Sequence, residues 1–279
     1  MIALVAMGVY SSIKNPANRP VYLPEGFLPV DEKQTVIDSY GKSYYARIFK
    51  QFDPNLKVEF VCIPKKQPEL EPGVADPETF YIMVNKVPVA LFQEFADKFS
   101  IGGAWKKTEY KNEPELPALN VTVTEAHEFA DKMLGGKLPT IVEWDKAAGR
   151  YSGEEGREGP FTGHWEKVGS ISVAIARKFE EGPMPIGQAT NDESPYGCRD
   201  MAGNGREWTR NVQEKDAGFV PILNPTKDHH VVTRSRGYSD EVPLTFEFLK
   251  SGGGESQPYL TRSMEVGFRA VIEMLQVSK

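Results

Sequence analysis

Cysteine is scarce in this chain: of 279 residues, only Cys62 and Cys198 are cysteines. Two thiols permit at most one disulfide and exclude a thiolate metal cage. They lie far apart in the sequence and are expected as separate reduced or buried thiols. Histidine is nearly as rare, at four residues. His127 beside a helix face reads as a polar surface residue and His164 next to Trp165 as packing. His229 and His230 are adjacent, so in a strand they point to opposite faces and make a poor chelating pair. No cationic excess is present either: 33 Lys and Arg stand against 39 Asp and Glu, a formal charge of -6. That balance argues against nucleic acid as a partner, because phosphate neutralisation needs clustered cations. There is no internal repeat, no phosphate-cradling glycine loop and no nucleophile elbow. Gly197-Cys-Arg-Asp200 lacks the serine context for the last, and Gly252-Gly-Gly254 reads as a flexible loop.

The apolar opening Met1–Tyr10 is shorter than the roughly 20 residues needed to cross a bilayer. It also lacks the basic start of a signal peptide. Residues 1–13 read as a first strand or leader, or as the trailing end of a membrane helix that begins outside this chain. The second reading implies a membrane tether and favours an extracytoplasmic or membrane-anchored location. Pro16 to Pro29 carries four prolines and reads as linker, so residues 14–56 are expected as an extension and 57–279 as the folded domain.

What is abundant is glycine and proline, 25 and 21 residues, about a sixth of the chain. Regular elements are correspondingly few. Val58–Ile63 and Thr79–Val84 read as strands. Val89–Phe99 places Leu91, Phe92, Phe95 and Phe99 at helical spacing behind Pro88. Thr124 reads as the N-cap of a helix over 125–134, with Ala126, Phe129, Ala130 and Met133 on one face and Gly135-Gly136 as its stop. Thr140 and Glu143 are spaced as a capping box for a short helix carrying Trp144 and Ala147-Ala148. Beyond Gly149 periodicity fades for some fifty residues, yet Ile171–Ile175 and Pro183–Gly187 are too apolar for a disordered tail. Short strands return at Val231–Thr233 and Val266–Ile272. The pattern is α+β, with few helices and much irregular chain.

In order, the blocks resemble those of one family. Phe80-Tyr-Ile-Met-Val-Asn-Lys-Val87 resembles F-Y-I-D-K-Y-E-V. Pro117-Ala-Leu-Asn-Val-Thr-Val resembles P-V-V-N-V-S-W, and Gly135-Gly-Lys-Leu-Pro-Thr-Ile-Val-Glu-Trp144 resembles G-G-R-L-P-T-E-A-E-W. Ser194-Pro-Tyr-Gly-Cys-Arg-Asp-Met-Ala-Gly-Asn-Gly-Arg-Glu-Trp-Thr209 resembles N-x-F-G-L-Y-D-M-A-G-N-V-W-E-W, and Val266-Gly-Phe-Arg269 the closing I-G-F-R. This succession is that of the formylglycine-generating enzyme, or sulfatase-modifying factor, family. The resemblance implies a loop-rich variant of the C-type-lectin-like fold, which accommodates the long irregular middle. The wording around Asp192–Trp208 is similar to domains attached to bacterial membrane-associated kinases, although no kinase motif lies in these residues.

The family's activity is a copper-dependent oxidation using two cysteines between the R-G-G-S-W motif and G-F-R. The matching stretch, Arg234-Ser-Arg-Gly-Tyr238 to Arg269, contains no cysteine. Met264 is the softest side chain there, and one thioether does not replace two thiolates for Cu(I). Copper and formylglycine generation are therefore expected to be absent. What the resemblance retains is a calcium loop. Asp200 and Glu207 supply carboxylates, and Gly203 and Gly205 supply carbonyls, the oxygen donors a structural Ca²⁺ takes. Trp208, Arg210, Arg236 and Tyr238 are the candidate ligand-binding residues of a groove, since aromatic and arginine side chains anchor interfaces. These features point to a non-catalytic binding or sensor module for a peptide, glycan or small molecule. The alternatives are an enzyme with divergent chemistry, using non-haem iron or no metal, and a structural envelope protein.

Overall fold

The tight turn at Pro54 and Asn55 starts the central hairpin, because proline and asparagine suit a turn and the flanking runs are rich in apolar and aromatic residues. A computed structural model describes residues 20–101, 105, 112–163, 165, 172–214, 218–252 and 254–274. In it β5 (Arg47–Asp53) folds back on β6 (Leu56–Ile63). The largest sheet runs β14 (Val271–Glu273), β9 (Phe80–Met83), β6, β5 and β2 (Leu28–Pro29), with every pairing antiparallel. Strand alternation sorts its side chains onto two faces. Val58, Phe60, Cys62, Tyr81 and Met83 enter one core, and Val61, Ile63, Phe80 and Ile82 enter another.

Helices contribute to both cores. On the first lies α1 (Val89–Lys98), burying Leu91, Phe92 and Phe95, with Pro88 before its first turn. It packs on α2 (Val123–Phe129), where the rings of Phe92 and Phe129 are 6.0 Å apart. On the second, α3 (Ile141–Ala147) and α4 (Phe246–Lys250) contribute Trp144, Ala147, Phe246 and Leu249. Thr140 and Glu143 form the capping box expected for α3. The start of α2 is a correction: its cap is Thr122, not Thr124. The carboxylate of Glu125 accepts from the Thr122 amide at 2.9 Å, and the Thr122 hydroxyl accepts from the Glu125 amide at 3.2 Å. A box begun at Thr124 would have His127 at its third position and no carboxylate to close it. The helix continues as a π-turn over Ala130–Leu134 and stops at Gly135, whose φ of 69° is left-handed.

A second sheet runs β12 (Glu255–Pro258), β11 (His230–Arg234), β10 (Arg206–Val212) and β13 (Val266–Gly267), with β13 parallel to β10. The stretch 266–272, expected as one strand, is therefore two. Phe268, Arg269 and Ala270 leave the ladder between β13 and β14, so this segment links the two large sheets. The expected linker is also corrected from residue 20 onward. β1 (Val21–Tyr22), β4 (Ser43–Tyr45) and β3 (Thr35–Ile37) form a small sheet, and Val21 and Phe27 are buried. A hairpin of β7 (Glu69–Glu71) and β8 (Val74–Ala75) follows β6. Between Gly149 and Gly205 the described residues hold one 3-10 turn, Phe179–Glu181, and isolated bridges. The fold is α+β, mostly strands and loops. Among the described residues no helix is long and apolar enough to cross a membrane, and the leader 1–13 lies outside them.

Candidate functional site

Glu207 is the second residue of β10, beside Trp208, and alternation sends the two side chains in opposite directions. Trp208 enters the first core, where its Nε1 donates to the Val121 carbonyl at 3.0 Å. Glu207 points into a fully buried ionic cluster. Its Oε1 accepts from Lys86 Nζ at 2.5 Å and Arg269 Nη2 at 2.8 Å. Its Oε2 accepts from Arg269 Nε at 2.7 Å and Trp144 Nε1 at 2.8 Å. Arg269 uses its remaining donors on the carbonyls of Met83, Val84 and Arg199. Burial alone would raise the Glu207 pKa, but the charges of Arg269 and Lys86 hold it down to about 2. Burial lowers the Lys86 pKa, against the pull of Glu207.

Two more carboxyls flank this cluster. Asp200 is fully buried in the left-handed region, with φ of 56°. Its Oδ2 accepts from the Gly187 amide at 2.8 Å, and its Oδ1 has no hydrogen-bond partner. Asp192 accepts from the amides of Met201, Ala202 and Gly203, which gathers the 201–203 turn around one side chain. Burial and the Asp200 charge push Asp192 up to about 8, while those backbone donors and Lys86 act the other way.

This packing bears directly on the expected calcium loop. The structure does bring Asp200 and Glu207 to one buried region, yet both oxygens of Glu207 already accept two donors each. The Gly203 carbonyl accepts from the Ser235 hydroxyl at 3.1 Å. Gly205, at φ of 102°, is placed for its backbone: an added Cβ would lie 2.8 Å from Leu119. The donors do not fit a cation that takes six to eight oxygens. Among the described residues no three His, Cys, Asp or Glu side chains converge as a metal group.

The expected groove residues are not brought together as a groove. Trp208 and Tyr238 are fully buried. Arg210 Nη2 reaches Glu273 at 2.6 Å and Glu143 at 3.4 Å. Arg236 Nη1 reaches Glu255 at 2.6 Å, and its guanidinium lies 4.0 Å from the Phe248 ring centre. His229 Nδ1 accepts from the Thr226 amide at 2.9 Å, and His230 Nδ1 lies 3.6 Å from Glu214. His164 lies outside the described residues. Cys62 and Cys198 are free and buried in different cores.

A cavity of about 560 Å³ opens next to the ionic cluster, between β6, the start of α1 and the Pro185–Gln188 loop. Asn85, Glu115 and Gln188 give it polar groups, and Met83, Val58 and Ile186 give it apolar walls. Asn85 Oδ1 is buried without a hydrogen-bond partner. Sequence reasoning missed Lys86, Asp192 and this cavity. One signal was available: Lys86 stands where the entry motif F-Y-I-D-K-Y-E-V has glutamate.

The fold and cluster define a loop-rich α+β domain whose two large sheets are joined by the buried pairs of Glu207 with Lys86 and Arg269, and Arg269 also donates to the Arg199 carbonyl of the irregular middle. The chain belongs to the sulfatase-modifying factor enzyme 1-like domain family, whose model matches residues 61–274. It is similar in fold to PvdO from Pseudomonas aeruginosa, at 18% identity and a TM-score of 0.53, over 77% of this chain and 94% of PvdO. Treponema denticola variable protein 1 is similar at 15% identity and a TM-score of 0.53, over 81% of this chain and 98% of that one. Identities this low carry the fold alone. In sequence the chain is 31% identical over 109 residues to a hercynine oxygenase of Mycolicibacterium smegmatis, covering 38% of this chain and 24% of that protein. A hercynine oxygenase of Mycobacterium tuberculosis is 27% identical over 132 residues, covering 46% and 30%. The chain thus matches less than a third of the length of these relatives.

Proposed function

We propose that this chain is a binding module of a membrane-associated bacterial protein, built on the sulfatase-modifying-factor fold without its copper chemistry. The observation that carries this reading is the placement of the two cysteines. Cys62 faces one side of the central sheet and Cys198 packs on the other, so they do not form a two-thiolate site for Cu(I). The cavity beside Asn85 and Gln188 supplies the ligand site, mixed in polarity as small-ligand pockets are. Its occupant is a short peptide, a glycan or a small metabolite. The kinase-associated wording of the 192–208 block supports a sensor or scaffold role, with residues 1–13 as the tether. Two measurements test this reading. Competition for Cu(I) against a chromogenic chelator should detect no tight copper site, and a cysteine-containing sulfatase peptide should gain no formylglycine. Copper retained at one per chain, or aldehyde in the peptide, would sink it. A thermal-shift screen of peptides, oligosaccharides and metabolites should yield a ligand whose effect is lost in Gln188→Trp, which fills the cavity.

The hercynine oxygenase matches favour a second reading, an enzyme with divergent oxidative chemistry on this fold. It predicts consumption of hercynine by the purified protein with Fe(II) and dioxygen, followed by mass spectrometry. An unchanged hercynine signal would remove it.

A further inference from the structure

We propose that the ammonium of Lys86 is the built-in cation of the 200–207 loop, and that it makes this domain independent of calcium. Three observations carry the proposal. First, Lys86 Nζ is fully buried and bonded to Glu207 Oε1 at 2.5 Å, on the strongest carboxylate of the expected calcium set. Arg269 and Trp144 fill the other acceptor positions of that carboxylate. A dication there would displace these donors and sit beside two positive side chains. Second, two of the other expected ligands are engaged locally. The Gly203 carbonyl takes the Ser235 hydroxyl, and Asp200 holds the Gly187 amide through one oxygen. Of the side-chain oxygens of the set only Asp200 Oδ1 is left without a partner, far short of the six to eight oxygens that Ca²⁺ takes.

Third, the exchange at position 86 supplies charge. Lys86 stands where the resembling motif carries glutamate. Exchanging a carboxylate for an ammonium adds two positive charges, the charge of one Ca²⁺. The three buried carboxyls Glu207, Asp200 and Asp192 then face Lys86 and Arg269. Lysine also fills space, so its four-carbon stem and head group occupy volume that a hydrated or ligated ion would need. A tethered cation binds without an intermolecular cost and cannot be removed by a chelator. The loop keeps its shape wherever calcium is scarce.

The test is calcium dependence of the wild-type chain and of two variants, Lys86→Glu and Lys86→Gln. Purified wild type is expected to carry no stoichiometric calcium by inductively coupled plasma mass spectrometry. Its melting temperature should be the same in excess EGTA and in millimolar calcium. The variants should melt lower than wild type in EGTA and recover several degrees with calcium, but not with magnesium. Calcium bound to wild type at one per chain, or a wild-type melting temperature that rises with calcium, overturns the proposal. So does a variant that melts like wild type in EGTA. If neither variant gains stability or solubility from calcium, Lys86 is an ordinary buried ion pair and the replacement is overturned as well.

Discussion

Glu207 takes four hydrogen bonds from Lys86, Arg269 and Trp144 in a site sealed from water. Losing its charge would leave Lys86 and Arg269 buried without their hydrogen-bonded counter-ion. Breaking a buried pair in this way costs about 3–5 kcal/mol. Glu207→Gln is therefore expected to lower the urea midpoint sharply at an unchanged slope, read by circular dichroism. A shift typical of a surface substitution would show that the cluster is not structural. The thiols allow a second residue-scale prediction. Burial raises both cysteines, Cys198 to about 11 and Cys62 further, and the thiolate is the reactive form. At pH 8 native protein should release almost no chromophore from a disulfide reagent such as Ellman's, while protein in guanidinium should react at both cysteines. Rapid native labelling of either would contradict the burial described. At this scale the sequence was only partly legible. Asp200 and Glu207 stand out because they fall in the block that resembles the family's calcium loop, while the donors that fill Glu207, Lys86 and Arg269, come from distant blocks. Trp208 and Tyr238 read as groove anchors in sequence because a core aromatic and a binding aromatic look identical in one dimension, and both are buried. The internal ion pairs of Arg210 and Arg236 depend on partners, Glu273 and Glu255, that the sequence places far away.

Among the elements, the two capping boxes give a matched test. Thr122 is half-buried and caps α2 through reciprocal bonds with Glu125, whereas Thr124 is exposed on the first turn. Thr122→Ala should cost about 1 kcal/mol of unfolding free energy. Thr124→Ala should stay within about 0.5 kcal/mol of wild type, as a surface change does. Equal losses in paired urea titrations would return the cap to Thr124. The example also shows why boundaries were harder to read than elements. The apolar face Ala126, Phe129, Ala130 and Met133 repeats at helical spacing and is buried as that spacing implies. The cap, in contrast, turned on which of two threonines lies three residues before a carboxylate. The 266–272 stretch failed differently: its apolar run hid the exit of Arg269 towards Glu207, a long-range pairing that splits one strand into two.

Across the whole molecule, the question is how much of the chain before the family-matched region belongs to the folded unit. Residues 20–53 contribute β1 to β5, and β5 pairs with β6 along most of its length. Phe27 lies edge-on to Phe60 at 5.3 Å, Ile48 is fully buried, and Tyr81 donates its hydroxyl to the Tyr45 carbonyl at 2.9 Å. Periodicity did not reveal this, because β1 to β4 are two or three residues long, shorter than the four to eight over which strand alternation can be recognised. Their prolines then read as linker. A chain beginning at Lys57, the boundary expected from sequence, would leave β6 as an open sheet edge and uncover Phe60. Open apolar edges pair with other chains, so the shortened protein should elute as aggregate in size-exclusion chromatography and lack a cooperative melt. A monomer with a cooperative transition near that of the full chain would instead make residues 20–53 an accessory layer. In that case the sheet order would still hold, but the stability of the family domain would rest on α1, α2 and the Glu207 cluster alone.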